Sequence, residues 1–301
     1  MPIFGISRRS RTTTLAKQGQ PAERDIRAIQ VEGRRYLSDS EVVYLLPKDM
    51  ADVPRLDFQH YLLRQVMKGI YIAPIPDSAS AILDVGCGTG RWSIEMAQAF
   101  PQAQVIGIDL EEMKSARGAK PANYLFKQAN ALGTFPFAEN SFDFVHMRLM
   151  LMSIPSFKWS EVLHEILRVT RPAGWIEFVE VGCSIWPRGP ATQKWYNWIR
   201  EICTSYSQDA DMPARLKIMA LKAGIRNVKE FTYDIPIGQW AGHLGATSLA
   251  NMRGFYEAMR ARNIRQLGIG SGEVDQTWID LVREWEQQQA HIRYYVVCGQ
   301  K

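Results

Sequence analysis

The chain of 301 residues is long enough for one large domain or two small ones, and its 46% hydrophobic and 22% charged residues are typical of a globular protein. No stretch reaches the ~20 apolar residues that a membrane-spanning helix needs. The net charge of +5 is modest, and no basic stripe with interleaved aromatic residues is present, so we expect neither a membrane nor a nucleic acid as partner.

Positive charge is concentrated at the N-terminus. The segment Met1–Lys17 contains no acidic residue and four basic ones, which are Arg8, Arg9, Arg11 and Lys17. Two interpretations stay open, an organelle-targeting arm and a disordered, solvated tail. The segment lacks the apolar core of a secretory signal. We predict a flexible basic arm over residues 1–35 and a cytoplasmic protein.

The cysteines indicate neither disulfides nor a metal site. Cys87, Cys183, Cys203 and Cys298 are scattered without a C-x-x-C pair. The five histidines do not cluster with them at the spacing of zinc ligands. Free thiols in a reducing compartment, and no bound metal, are therefore expected.

The first predicted element is a helix within an N-terminal helical cap over residues 36–80. Its apolar residues fall on one helical face, and Asp52 and Pro54 supply start signals. That face consists of Leu56, Leu62, Leu63, Val66, Met67 and Ile70.

From residue 81 onward, short apolar runs alternate with helical patterns. The runs predict five strands, at residues 81–85, 105–108, 124–127, 142–147 and 175–179. Helices are predicted at residues 91–100, where Pro101 follows, and around residues 159–166. This β-α-β alternation indicates an α/β fold whose mostly parallel sheet is doubly wound, with helices on both faces.

Beyond residue 181 the pattern becomes helical. We predict an aromatic-rich helical lid at about residues 185–215 and a strand at residues 228–235. A helical insertion at about residues 237–290 precedes the last strand, at residues 292–297. The whole of residues 81–301 is thus expected to form one catalytic domain.

A glycine-rich turn joins the first strand of this domain to its first helix. The run Leu83-Asp84-Val85-Gly86-Cys87-Gly88-Thr89-Gly90 places glycines where the backbone must approach a ligand closely. Dinucleotide-binding enzymes use the same device, so the turn alone is weak evidence. A merely structural tight turn is the alternative.

Three features separate this turn from a dinucleotide site. The third dinucleotide glycine is replaced by Arg91. Asp84 flanks the turn, and a carboxylate there suits a ligand bearing an ammonium group better than a pyrophosphate. Asp109 ends the second strand, where an acid binds ribose hydroxyls in either ligand class. Together they favour S-adenosylmethionine over NAD.

With these motifs the sequence resembles the class I S-adenosylmethionine-dependent methyltransferases. The segments that carry the likeness, between residues 82 and 181, are LDVGCGTG, VIGIDL, NSFDFVHMR and LRVTRPAGWIEFVE. YLLPKD at residues 44–49 and RLDFQH at residues 55–60 are similar to the group that includes fungal LaeA-like methyltransferases.

The resemblance implies S-adenosyl-L-methionine as cofactor and a seven-stranded sheet with an antiparallel last strand. It implies cofactor contacts at Asp84, Gly86, Cys87, Gly88, Gly90, Asp109 and Leu110. The adenine amine is expected to meet Asn130-Ala131, where the family often has an Asp; the Asn carbonyl still accepts a hydrogen bond, without charge.

Methyl transfer from a sulfonium needs alignment above all, and a base only for a protonated acceptor. The histidines that we would test as bases are His60, His146 and His243, each with an ordinary structural role as the alternative. Arg148 follows the fourth strand and is a candidate partner for the cofactor carboxylate; a surface or capping role is the alternative. Arg55 and Gln59, on the same side of the first helix as His60, are candidates for a roof over the cofactor or for a solvated face.

An aromatic concentration after the fifth strand suggests a wall for the acceptor. Trp186, Trp195 and Trp198 are its candidate substrate residues, with core packing as the alternative. We therefore predict methyl transfer to an O, N or C atom of a small, rather apolar metabolite in natural-product biosynthesis. The alternatives are an S-adenosylmethionine-binding regulatory protein that acts through protein partners, a protein or RNA methyltransferase, and a non-methylating use of the fold.

Overall fold

The structure is a computed structural model that describes residues 26–38, 44–113 and 120–301. The segment Met1–Lys17 of the predicted arm lies outside these residues. The division into an arm, a cap and a catalytic domain stays a prediction, with one difference at the arm's boundary.

That difference is an antiparallel hairpin of β1 (Ala28–Val31) and β2 (Arg34–Leu37). Glu32 and Gly33 form its two-residue turn with φ of 49° and 74°. Two successive positive φ angles match the twist of a tight hairpin, which is why glycine stands there. A boundary at residue 35 cuts through this hairpin, so residues 28–35 are strand and turn rather than flexible arm.

The predicted cap helix is present as α1 (Val53–Met67). Pro54 stands in its first turn, where a missing N–H costs nothing. The helix ends at Lys68, whose φ of 56° is left-handed. Leu62, Leu63 and Met67 bury its apolar face.

Residues 81–301 are built on a seven-stranded sheet, as expected, with strand order β5-β4-β3-β6-β7-β9-β8. Its strands are β3 (Ala81–Val85), β4 (Gln104–Asp109), β5 (Tyr124–Gln128), β6 (Phe142–Arg148), β7 (Thr170–Trp186), β8 (Arg226–Pro236) and β9 (His291–Gln300). In the sheet order β5-β4-β3-β6-β7, each strand is parallel to its neighbours. Strand β9 is antiparallel to both of its neighbours, β7 and β8. The antiparallel last strand is confirmed.

Helices cover both faces of the sheet, because successive strand residues point to opposite faces. Ile82 and Phe144 pack with Trp92 of α2 (Arg91–Ala99) on one face. Leu83 and Val145 pack on the other face with α3 (Trp159–Val169) and α5 (Leu216–Lys222). The doubly wound architecture is therefore confirmed.

A third apolar cluster lies beyond the end of the sheet. It joins α1 to α4 (Pro190–Ser205), α6 (Gly242–Met259) and α7 (Ser271–Gln288) over β7 and β9. The predicted lid contains α4, and the predicted insertion contains α6 and α7. These helices form a second layer next to the carboxyl ends of the parallel strands.

Two further observations bear on partners. No helix in the described ranges is both long and apolar enough to cross a bilayer. All four cysteines are free thiols, and the described residues contain no cluster of three potential metal ligands.

Candidate functional site

The glycine turn after β3 opens one side of a cleft. Gly86, Gly88 and Gly90 have φ of 72°, 55° and 72°, a conformation that side-chain-bearing residues resist. A Cβ atom at Gly86 would strike Met150, and one at Gly90 would lie 2.7 Å from the Tyr124 hydroxyl. A Cβ atom at Gly88 would instead meet nothing within 4 Å. Gly88 therefore leaves free the space that a ligand needs.

This cleft, called the glycine cleft below, opens to solvent, and the space within and at the mouth of it is about 990 Å³. It lies at the carboxyl ends of β3, β4, β5 and β6, where parallel sheets place their ligands. Residues predicted for the cofactor that line it are Gly86, Cys87, Gly88, Asp109, Leu110, Asn130, Ala131, Arg148 and Gln59. Residues far apart in sequence are thus brought together as the motifs predict.

Asp109 lies at the centre of the glycine cleft and is held from three directions. The backbone N–H of Gly88 donates to Oδ2 at 2.8 Å, and that of Leu110 donates to Oδ1 at 2.7 Å. Lys48 forms a buried ion pair with Oδ1. The sequence reasoning missed Lys48, although the YLLPKD motif containing it was recognised.

Arg148 brings a partly buried positive charge to the same cleft. Its Nη2 donates to Nδ1 of His60 at 3.0 Å. Within the part of the chain that the structure describes, no carboxylate lies within 4.0 Å of its guanidinium. Burial lowers the pKa of Arg148 below its ordinary value, but a guanidinium stays protonated at neutral pH. Among the described residues, the cleft therefore presents a cation that forms no salt bridge.

His60 is held neutral beside this cation. Burial and the neighbouring Arg148 lower its pKa to about 2. Its Nε2 faces Oε1 of Glu95 at 3.2 Å without hydrogen-bonding geometry. A histidine with so low a pKa holds a proton poorly. The low pKa of His60 therefore favours a structural role over that of a base.

Two of the predicted residues lie beneath the turn rather than in the cleft. Asp84 is buried, accepts a hydrogen bond from Oγ of Ser93 at 2.5 Å, and contacts Nδ1 of His146 at 3.0 Å. The His146 ring stacks on Trp92 at 3.8 Å. The strand alternation turns both side chains toward α2, so neither lines the glycine cleft, and their predicted contacts with ligands have no geometric support.

Three other candidates also lie off the glycine cleft. His243 is exposed at the start of α6 and lines no cavity described here. The space in front of Gly90 is occupied by the Tyr124 hydroxyl, which would lie 2.7 Å from a Cβ atom at this position. Arg55 is bound to Asp52 and lines the neighbouring cavity instead.

The predicted adenine end of the cleft contains Leu110, Ala131 and Asn130. Oδ1 of Asn130 already accepts a hydrogen bond from the backbone N–H of Leu132 at 2.9 Å.

A second cavity, called the apolar cavity below, adjoins the glycine cleft, and the space within and at the mouth of it is about 800 Å³. The two share four residues, Tyr44, Leu56, Gln59 and Leu149. Leu151, Met152, Val181, Ile199, Met252 and Phe255 make most of the remaining wall apolar. Polar residues that sequence reasoning missed are Glu180 of β7 and Asn251 of α6.

The three candidate substrate tryptophans occupy different surroundings. Trp195 lines the apolar cavity. Trp198 packs in the third apolar cluster and does not line the cavity. Trp186 is half-buried beside His291 and Arg293, away from it. Trp195 and Trp198 are three residues apart on α4, so one helix cannot present both equally.

Comparison with known proteins identifies the domain that carries the glycine cleft. Residues 82–174 match a family model described as a methyltransferase domain. The match begins in β3 and ends within β7, and it contains the glycine turn, Asp109 and Arg148. The chain carries a class I S-adenosylmethionine-dependent methyltransferase domain.

Relatives of this methyltransferase include fungal regulators. The secondary metabolism regulator LAE1 of Cochliobolus heterostrophus is 28% identical over 220 residues, covering 69% of this chain and 70% of that protein. The protein-methionine methyltransferase laeA of Emericella nidulans is 28% identical over 222 residues, covering 69% of this chain and 57% of that protein. Among solved structures, the YcgJ protein from Bacillus subtilis aligns with a TM-score of 0.49 and 19% identity, over 81% of this chain and 98% of that one.

The cofactor of the methyltransferase is S-adenosylmethionine, and the residues of the glycine cleft fit it. Gly88 leaves open space at the turn, Asp109 offers carboxylate oxygens to ribose hydroxyls, and Arg148 offers a cation to a carboxylate. When bound, this cofactor supplies an electrophilic methyl group on a sulfonium. The protein has to orient the acceptor toward that group and exclude water.

Proposed function

We propose that this methyltransferase acts on an O, N or C atom of a small, mostly apolar metabolite held in the apolar cavity, in natural-product biosynthesis. The observation that carries the proposal is the wall that this cavity shares with the glycine cleft. A ligand in each would meet along that wall, which is the arrangement that group transfer requires.

The composition of the apolar cavity supports a small-molecule acceptor. Ligand pockets are concave and mostly apolar, with a few polar groups that fix orientation. Trp195, Met252 and Phe255 supply the apolar surface, and Glu180 and Asn251 supply polar atoms.

A second candidate is transfer to a protein side chain, with a regulatory role. The name of the Emericella relative, protein-methionine methyltransferase, favours it. An apolar side chain from another protein also suits an apolar cavity. The Emericella protein extends beyond the aligned region, since the alignment with this chain covers 57% of its length.

Transfer of an isotopically labelled methyl group distinguishes these candidates. The protein is incubated with labelled S-adenosylmethionine and, separately, with a panel of apolar phenols, amines and acids or with a fungal protein extract. We expect label in small molecules, and its loss in the Gly88→Val variant. Label in protein alone contradicts the proposal and supports the second candidate. Cofactor binding without any transfer supports a regulatory protein.

A further inference from the structure

Glu180 of β7 lies at the wall between the two cavities. Its carboxylate accepts hydrogen bonds from the backbone N–H groups of Met150, at 2.7 Å, and Leu151, at 3.4 Å. The Met150 side chain packs on the glycine turn at Gly86. The preceding residue, Leu149, lines both cavities. Glu180 therefore borders the apolar cavity where that cavity approaches the glycine cleft.

The carboxyl group is completely buried, which changes its protonation. Burial raises the pKa of Glu180 to about 8, although the N–H groups of Met150 and Leu151 oppose the rise. A group with a pKa near the working pH exchanges a proton readily in either direction.

The other titratable groups that line the apolar cavity keep one form near neutral pH. Burial raises the pKa values of Tyr44, Cys183 and Tyr294, which stay neutral. Burial lowers the pKa of Arg55, but its hydrogen bonds to Asp52 outweigh this effect and raise the pKa. Arg55 therefore stays a cation. Among the described residues of this cavity, Glu180 is thus the group suited to gain or lose a proton.

Asn251 supplies an independent observation. Its side chain is 5% exposed and lines the same cavity from α6. Its Oδ1 atom is buried without a hydrogen-bond partner in the described structure. An unsatisfied buried acceptor is costly, and in a residue that lines a cavity it is best explained by a donor on the ligand.

We propose that Glu180 and Asn251 form the polar end of the apolar cavity, that they accept hydrogen bonds from an O–H or N–H group of the acceptor, and that Glu180 receives the proton of that group on methylation. The inference rests on the proposed function, because it defines the acceptor class for the same cavity. The acceptor O or N atom forms a bond to the methyl carbon while the bond from that carbon to the sulfonium sulfur breaks, and the electron pair of the broken bond stays on sulfur. The O–H or N–H bond of the acceptor breaks as well, and its proton goes to a carboxylate oxygen of Glu180.

Two matched probes test the proposal without a known substrate. Binding of 4-propylphenol and of propylbenzene is measured by calorimetry on the full-length protein saturated with S-adenosylhomocysteine, between about pH 6 and pH 9. Phenol affinity is expected to rise as pH passes the pKa of Glu180, since an ionised carboxylate is the stronger acceptor. Propylbenzene affinity is expected to fall, since the hydrocarbon would strip water from a charge. The ratio of the two affinities should change at least about tenfold.

Variants separate this effect from general pH effects. In Glu180→Gln the affinities of both probes should no longer change with pH; the change of affinity with pH is called the slope below. Glu177→Gln is the matched control, because Glu177 is also a fully buried carboxyl of β7 but lines neither cavity; both slopes should persist there. Asn251→Leu leaves Glu180 intact and should reduce the preference for the phenol roughly fivefold.

Several outcomes overturn the proposal. Equal slopes for the two probes in the wild-type protein, or slopes that survive in Glu180→Gln, remove Glu180 from the site while the proposed function stands. If Glu180→Gln does not fold, an unchanged phenol preference in Asn251→Leu is decisive against the polar end. If neither probe binds at any pH, the apolar cavity is not an acceptor site, and the proposed function fails with the inference.

Discussion

Arg148 donates a hydrogen bond to His60 across 3.0 Å inside the glycine cleft, and His60 is neutral. A neutral histidine fixes the guanidinium without cancelling its charge. The cofactor carries a carboxylate that suits this cation, and charge-assisted hydrogen bonds are the stronger ones. We therefore expect Arg148 to bind the amino-acid end of the cofactor and His60 to position it.

Arg148→Met should weaken binding of S-adenosylhomocysteine roughly tenfold or more, since a charge-assisted hydrogen bond contributes about 1.5–3 kcal/mol. Binding of 5′-methylthioadenosine, which lacks the carboxylate, should hardly change. Calorimetry with both ligands measures the difference. Equal losses for the two ligands would place Arg148 elsewhere in the cleft.

Gly88→Ala should block the cofactor at a small cost in stability, because its Cβ atom would enter open space at φ of 55°. The backbone strain is roughly 1–2 kcal/mol. Gly33→Ala is the matched control, since it also has open space and a φ of 74° but lies in the hairpin turn. Urea unfolding should report similar losses for both variants, and calorimetry should report lost binding for Gly88→Ala alone. Normal binding by Gly88→Ala would make the turn purely structural.

The tryptophans of α4 should separate in their effects on the acceptor. Both are packed, with Trp195 2% and Trp198 8% exposed, so each change to Ala should cost about 3–5 kcal/mol of stability. Only Trp195→Ala should weaken 4-propylphenol binding in the folded fraction. Weaker binding in Trp198→Ala, with none lost in Trp195→Ala, would contradict the placement of the cavity wall.

The pH dependence of stability should reveal Glu177, whose pKa burial raises to about 7. A carboxyl with a raised folded-state pKa favours folding while it is protonated. Its contribution is therefore complete below the unfolded pKa of about 4.3 and is lost as pH rises toward 7. Glu177→Gln should lower the free energy of unfolding relative to wild type less at pH 7 than at pH 4.5, by up to about 3 kcal/mol. A constant difference across this range would show that Glu177 titrates normally.

The sequence predicted β3, β4, β6 and β7 well because each contains a buried apolar run. Clear helical periods also separate β3 from β4 and β6 from β7. The hairpin at residues 28–37 was missed because its strands have only four residues each. Strands this short carry little periodic signal, and their turn residues Glu32 and Gly33 were the available cue.

The placement of Gly88, Asp109 and Arg148 in one cleft at the strand ends followed from motif and topology. The interior position of Asp84 and His146 depends on which face of the strand each occupies. Glu180 was missed because a Glu in a strand gives no signal of burial, and only the packing of Met150 and Leu151 around it shows the site. The position of a residue in the folded chain, and not its type, therefore decides whether it lines a cavity or lies in the interior.

Calorimetric titration with S-adenosylhomocysteine and NAD tests the central claim, that the glycine cleft binds the adenosylmethionine cofactor through Asp109. The wild-type protein and Asp109→Asn, checked for folding by circular dichroism, are compared. We expect one molecule of S-adenosylhomocysteine per chain, at least tenfold weaker binding in Asp109→Asn, and no binding of NAD. Binding of NAD without S-adenosylhomocysteine, or equal affinity in the variant, would contradict the account.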